Sequence, residues 1–182
     1  MRALLIIDMQ VGSFKPETPC YDANGVVHRI NSLSNYFRQN RDKIIFIQHD
    51  GTKENYYIPG TSDWHILPTL IQHTNDIIIG KTANDSFYHT DLETVLKNND
   101  ITDLFITGFA TDYCVNATVH SALIKDYNIF IVEDCHTTKN RNYLTAEQVI
   151  QYHNWLWENL TPTNGKVKLV LSKDLIITQD AT

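Results

Sequence analysis

Three side chains in this 182-residue sequence have the types needed for nucleophilic chemistry: the Cys114 thiol, the Asp8 carboxylate and the Lys81 ammonium. A cysteine attacks as its thiolate, the minor form at neutral pH unless a cation, a helix start or a base assists it. Asp8 directly follows the run LLII, Lys81 follows DIIIG, and Cys114 ends GFATDYC, just before a helical pattern opening near Val115. At a helix start, unpaired backbone N–H groups favour the thiolate and can also bind an oxyanion. Lys81 would lower the thiol pKa further, and Asp8 would accept its proton and return it to a leaving amine. Taken singly, these residues also read as a small buried hydrophobe, a turn residue and the first exposed residue after a strand.

Residues this far apart meet only if the fold gathers them. Apolar runs at 3–7, 43–48, 76–79, 103–107, 128–132 and 166–171 are nearly continuous rather than alternating. Parallel strands covered on both faces read this way. Between them lie helical patterns at 26–40, 92–98, 115–125 and 146–159. The alternation predicts a single α/β domain over 1–182, its core about 3–171, with a six-stranded, mostly parallel Rossmann-like sheet flanked by helices. Such sheets bind ligands at the carboxyl ends of their strands, where an acid, a cation and a thiol would converge.

Other residues near that rim invite a role. Phe14, Trp64, Phe87 and Tyr113 are candidates to wall a pocket, and His49, closing the second run, is the next polar candidate for substrate contact. The loops 12–25 and 51–62 are long enough to supply such walls. Asp112 reads as a helix cap beside the nucleophile. Cys20 and Cys135 lack a catalytic context and read as structural. Asp134-Cys135-His136 resembles a dyad, but neighbouring residues of an extended chain point apart.

The bulk properties narrow the class. A net charge of −6 offers no electrostatic attraction for nucleic acid or an anionic membrane. No apolar run reaches signal or transmembrane length, and three cysteines without a CxxC pair argue for a reducing, cytoplasmic setting rather than a disulfide framework. The partner this composition suggests is a small-molecule substrate.

At the three reactive positions the chain resembles the isochorismatase-like cysteine hydrolases, which include nicotinamidases, carbamoylsarcosine amidohydrolases and isochorismatases. LLIIDMQ is similar to the block holding the catalytic aspartate, GKTANDSFYHTDL to the lysine block and GFATDYCVNATVHSA to the nucleophile block. The resemblance, over about residues 3–171, implies a catalytic triad of Asp8, Lys81 and Cys114. It also implies a non-proline cis peptide before Ala110, an oxyanion hole from the Ala110 and Cys114 backbone N–H groups, and a homo-oligomer.

Two departures shape the expected activity. Nicotinamidases carry a metal-binding D-x-H after the second strand, whereas this chain reads Gln48-His49-Asp50-Gly51; His49, Asp50, His65 and His73 lack ligand spacing, so no metal and no cofactor are expected. Isochorismatases proper lack the cysteine, so Cys114 favours an amide or carbamoyl C–N bond cleaved through a thioester. Two rival readings are a vinyl-ether hydrolase using Asp8 as its acid and a non-catalytic binding or scaffold protein.

Overall fold

The computed structural model describes residues 1–177. Six strands, β1 (Arg2–Ile7), β2 (Lys43–His49), β3 (Ile77–Lys81), β4 (Asp103–Phe109), β5 (Asn128–Thr137) and β6 (Val167–Val170), form one sheet in the order β3-β2-β1-β4-β5-β6. Every pairing is parallel, so the sheet is fully rather than mostly parallel. Helices α1 (Ala23–Gln39), α2 (Leu92–Asn98), α3 (Asn116–Ile124), α4 (Ala146–Glu158) and α5 (Ser172–Ile177) flank it.

β1 shows why the apolar runs are continuous. Ala3, Leu5 and Ile7 face a core shared with Leu92, Leu96, Val119 and Trp157, from α2, α3 and α4. Leu4 and Ile6 face the opposite core, with Ile30, Leu33 and Phe37 of α1. Both faces of the central strand are dry, so every position selects an apolar side chain. α4 begins at a capping box in which the Thr145 and Gln148 side chains each bond the other's backbone N–H, and this sets its N-terminus.

The crossover between β2 and β3 contains no α-helix, in line with the long loop read there, only short 3₁₀ turns at Thr52–Glu54 and Ser62–Trp64. Two elements differ from expectation, β5 and α5. β5 runs to Thr137, five residues past the apolar run, because polar Glu133 and Asp134 end the hydrophobic pattern without ending the pairing: His136 and Thr137 still pair with Gly108 and Phe109. α5 was not foreseen.

The strand order reverses direction between β1 and β4, the place where an open parallel sheet leaves a crevice at its carboxyl edge. Gly108 lies beside it with a φ of +119°, and a Cβ there would collide with the Ile7 backbone. Only glycine permits that close approach of β4 to β1.

Candidate active site

Strand ends carry the three candidate residues to the crevice. Asp8 follows β1 and turns through a positive φ of 46°, uncommon for a non-glycine residue. Lys81 closes β3, paired in register with His49 at the end of β2. Cys114 lies in a π-helical turn, Thr111–Val115, that continues into α3. Lys81 Nζ is 2.6 Å from Asp8 Oδ2 and donates to Cys114 Sγ at 3.2 Å and to the Ala83 carbonyl at 2.8 Å. An ammonium has three N–H donors, so this lysine is fully committed. The other Asp8 oxygen, Oδ1, is buried with no hydrogen-bond partner among the described residues. The Phe109–Ala110 peptide is cis, as the resemblance implied.

The electrostatics of the resting thiol run against the sequence expectation. Burial first, then the Asp8 charge, push Cys114 up to about 12, and Lys81 only partly opposes them. A lowered pKa was expected from the lysine and the helix start. Instead Lys81 sits nearer to Asp8 than to sulfur, so its field at the thiol is largely cancelled. Burial lowers the lysine's own pKa, but Asp8 and Cys114 outweigh it and the net shift is upward, keeping the ammonium charged. The resting site therefore holds a neutral thiol beside a buried ion pair.

These groups open into a cavity of about 300 Å³ lined by Asp8, His49, Tyr56, Tyr57, Asn84, Phe109, Ala110, Tyr113, Cys114, Lys139 and Arg141. That is the lower end of the range for small-molecule sites, about 300–1,000 Å³. His49 is buried, stacks on the Tyr56 ring, and has neither ring nitrogen bonded. Burial, then Lys81, lowers its pKa, so it is neutral at pH 7 and offers one donor and one acceptor. Gln10 holds the floor in register: its amide accepts from His49 N at 2.9 Å and donates to the His49 carbonyl at 3.0 Å and the Trp64 carbonyl at 2.8 Å.

Of the pocket candidates, His49 and Tyr113 line this cavity, and Phe14, Trp64 and Phe87 do not. Phe14 packs behind the wall against Phe109, with ring centroids 5.8 Å apart. Phe87 is buried and stacked on Tyr127. Trp64 contributes its carbonyl to Gln10 and Gln48. The loop 51–62 does supply a wall, through Tyr56 and Tyr57. Asp112 is not a helix cap; it takes a bidentate pair from Arg141 at 2.7 and 2.9 Å and a hydrogen bond from Thr138 at 2.7 Å.

The residues that sequence reasoning missed follow the strand ends it placed too early. Lys139 and Arg141 come just after the true end of β5, and Asn84 lies three residues beyond Lys81. Cys135 is buried within β5, and His136 spans from Thr111 Oγ1 to Asn154 Oδ1, each at 2.9 Å, so the apparent dyad is structural. Among the described residues no cluster of three or more His, Cys, Asp or Glu side chains is arranged to hold a metal ion, and no helix is long and apolar enough to cross a membrane.

The sequence matches the isochorismatase domain over residues 2–166. The chain belongs to the isochorismatase family. A solved isochorismatase family protein is similar with a TM-score of 0.83 and 32% identity, over 87% of this chain and 93% of that one. Streptothricin hydrolase from Streptomyces noursei is 25% identical over 76% of this chain and 55% of its own length. This chain thus spans about half of that relative. Ureidoacrylate amidohydrolase RutB from Methylobacterium radiotolerans is 31% identical over a shorter stretch, 41% of this chain and 29% of that protein.

Proposed function

We propose that this isochorismatase-family protein is a cysteine hydrolase that cleaves an amide or carbamoyl C–N bond of a small molecule through a thioester at Cys114. The observation that carries the reading is one ammonium, Lys81 Nζ, bonded at once to Asp8 and to the Cys114 sulfur at the floor of a small cavity. The amidohydrolase and hydrolase names of two relatives support the reaction class.

Asp8 takes the thiol proton as sulfur attacks the carbonyl carbon, and the new C–S bond leaves an oxyanion that the Ala110 and Cys114 backbone N–H groups receive. Burial holds the resting thiol protonated, so a base must remove its proton for sulfur to attack. Asp8 then passes the proton to the leaving nitrogen, the C–N bond breaks, and ammonia or an amine departs. Water enters, gives a proton to Asp8 and attacks the thioester, and the acid product leaves as the thiol regains its proton. Lys81 keeps Asp8 and the sulfur in place and balances the migrating negative charge.

Intact-mass measurement during incubation with a panel of small amides tests this, with Cys114→Ala alongside. An acyl adduct or released ammonia confined to the protein with its thiol is the expected result. Equal ammonia release from both proteins would overturn it.

A further inference from the structure

His49 is the buried titratable group that attack by the thiol leaves unused. It lines the cavity, is 5% exposed, and has no partner for Nδ1 or Nε2 among the described residues. Its position is fixed all the same. Gln10 takes both its backbone N–H and its carbonyl, and its ring stacks on Tyr56 and meets Tyr57 edge-on, with centroids 5.7 and 6.1 Å away. A buried imidazole without hydrogen bonds costs stability, so a ring held this firmly is matched to what enters the cavity.

His49 is in register with Lys81, so the two side chains leave the same face of the sheet from backbones about 4.8 Å apart. Lys81 cannot serve an entering molecule, because its three donors go to Asp8, Cys114 and the Ala83 carbonyl. Tyr57 is engaged with the Ser13 hydroxyl. Two buried acceptors remain beside the sulfur: Asp8 Oδ1 and the unprotonated nitrogen of His49. A water molecule has two protons to donate, and two such acceptors leave its oxygen lone pair free to attack.

We propose that His49 positions the water that hydrolyses the Cys114 thioester, its unprotonated nitrogen and Asp8 Oδ1 each accepting a hydrogen bond from that water. This rests on the cysteine-hydrolase reading and assigns a residue to its second half. The water oxygen bonds to the carbonyl carbon as Asp8 takes one proton. The C–S bond then breaks, and the sulfur recovers that proton from Asp8. The other proton stays on the acid product, so His49 gains none.

The surrounding charges keep the ring in its accepting form. Burial and Lys81 outweigh Asp8, Glu54 and Asp50, and the cations Lys139 and Arg141 line the same cavity. Protonation would turn the acceptor into a second donor and release the water.

p-Nitrophenyl acetate tests the idea without a known substrate: p-nitrophenolate release reports acetylation of Cys114, and intact mass reports loss of the acetyl group. The unaltered protein is compared with His49→Phe, which loses both nitrogens, and His49→Gln, which keeps an acceptor that does not titrate. Thermal unfolding checks that both variants fold. Acetyl-Cys114 is expected to decay about tenfold more slowly in His49→Phe, as for one lost hydrogen bond to the reacting water, while acetylation stays within about twofold. His49→Gln recovers part of the rate and lacks the fall that the unaltered protein shows on acidification below the ordinary histidine range. Equal decay in all three, or acetylation slowed as much as decay, would overturn the water-positioning role and leave the nucleophile reading intact. Equal p-nitrophenolate release from Cys114→Ala would overturn both.

Discussion

The Lys81 ammonium and the Asp8 carboxylate form an ion pair at 2.6 Å with both side chains removed from solvent. Burying two charges costs more than an exposed pair returns, so such a pair is held in place by its surroundings rather than kept for stability. Here the lysine's other two donors are fixed by the Ala83 carbonyl and the Cys114 sulfur, which ties the pair to the thiol.

Breaking the pair on one side leaves an uncompensated buried charge. Lys81→Met is expected to destabilise the protein by about 3–5 kcal/mol. The double variant Asp8→Asn/Lys81→Met recovers most of that loss while remaining inactive. Urea unfolding of the single and double variants reads the difference, and additive losses would contradict it.

The thiol's acidity depends on Asp8. Burial and the Asp8 charge together push Cys114 up to about 12. Asp8→Asn removes the second cause and leaves Lys81 beside the sulfur, so the thiol pKa falls. The variant is expected to alkylate faster than the unaltered protein at pH 8 although it no longer turns over substrate. A pH–rate profile of iodoacetamide labelling reads the shift; an unchanged or higher inflection would refute the account.

His136 links acid stability to the π-helical turn that carries Cys114. Burial depresses its pKa to about 4, against a hydrogen bond to Asn154 that raises it. A histidine kept neutral in the fold takes a proton in the unfolded chain as pH falls through its ordinary value near 6.5. Stability is therefore full above that pH and is lost progressively down to pH 4, by about 3 kcal/mol in all. His136→Gln, which keeps one donor and one acceptor for Asn154 and Thr111, should flatten the dependence of unfolding free energy on pH over this range. An equally steep decline in the variant would show that other groups carry it.

The sequence by itself determined the parallel sheet and pointed to Asp8, Lys81 and Cys114 as the candidates gathered at its rim. Continuous apolar runs such as LLII arise from burial on both faces of a strand, a local cause that leaves a local trace, and Asp8, Lys81 and Cys114 each follow such a run. The cis peptide before Ala110 was expected only from the family resemblance of GFATDYC, not from the residues themselves. The cavity's walls were decided by tertiary structure alone. β5 continues through polar residues because its hydrogen-bonded partner is β4, not because its side chains are apolar, and only that extension brings Lys139 and Arg141 to the rim. Phe14 and Phe87 carry the same composition signal as Tyr56 and Tyr57, yet the first two turn into packing and the latter two face the cavity. The thiol's raised pKa likewise follows first from burial and then from the Asp8 charge, which outweighs Lys81, and spacing along the chain encodes neither.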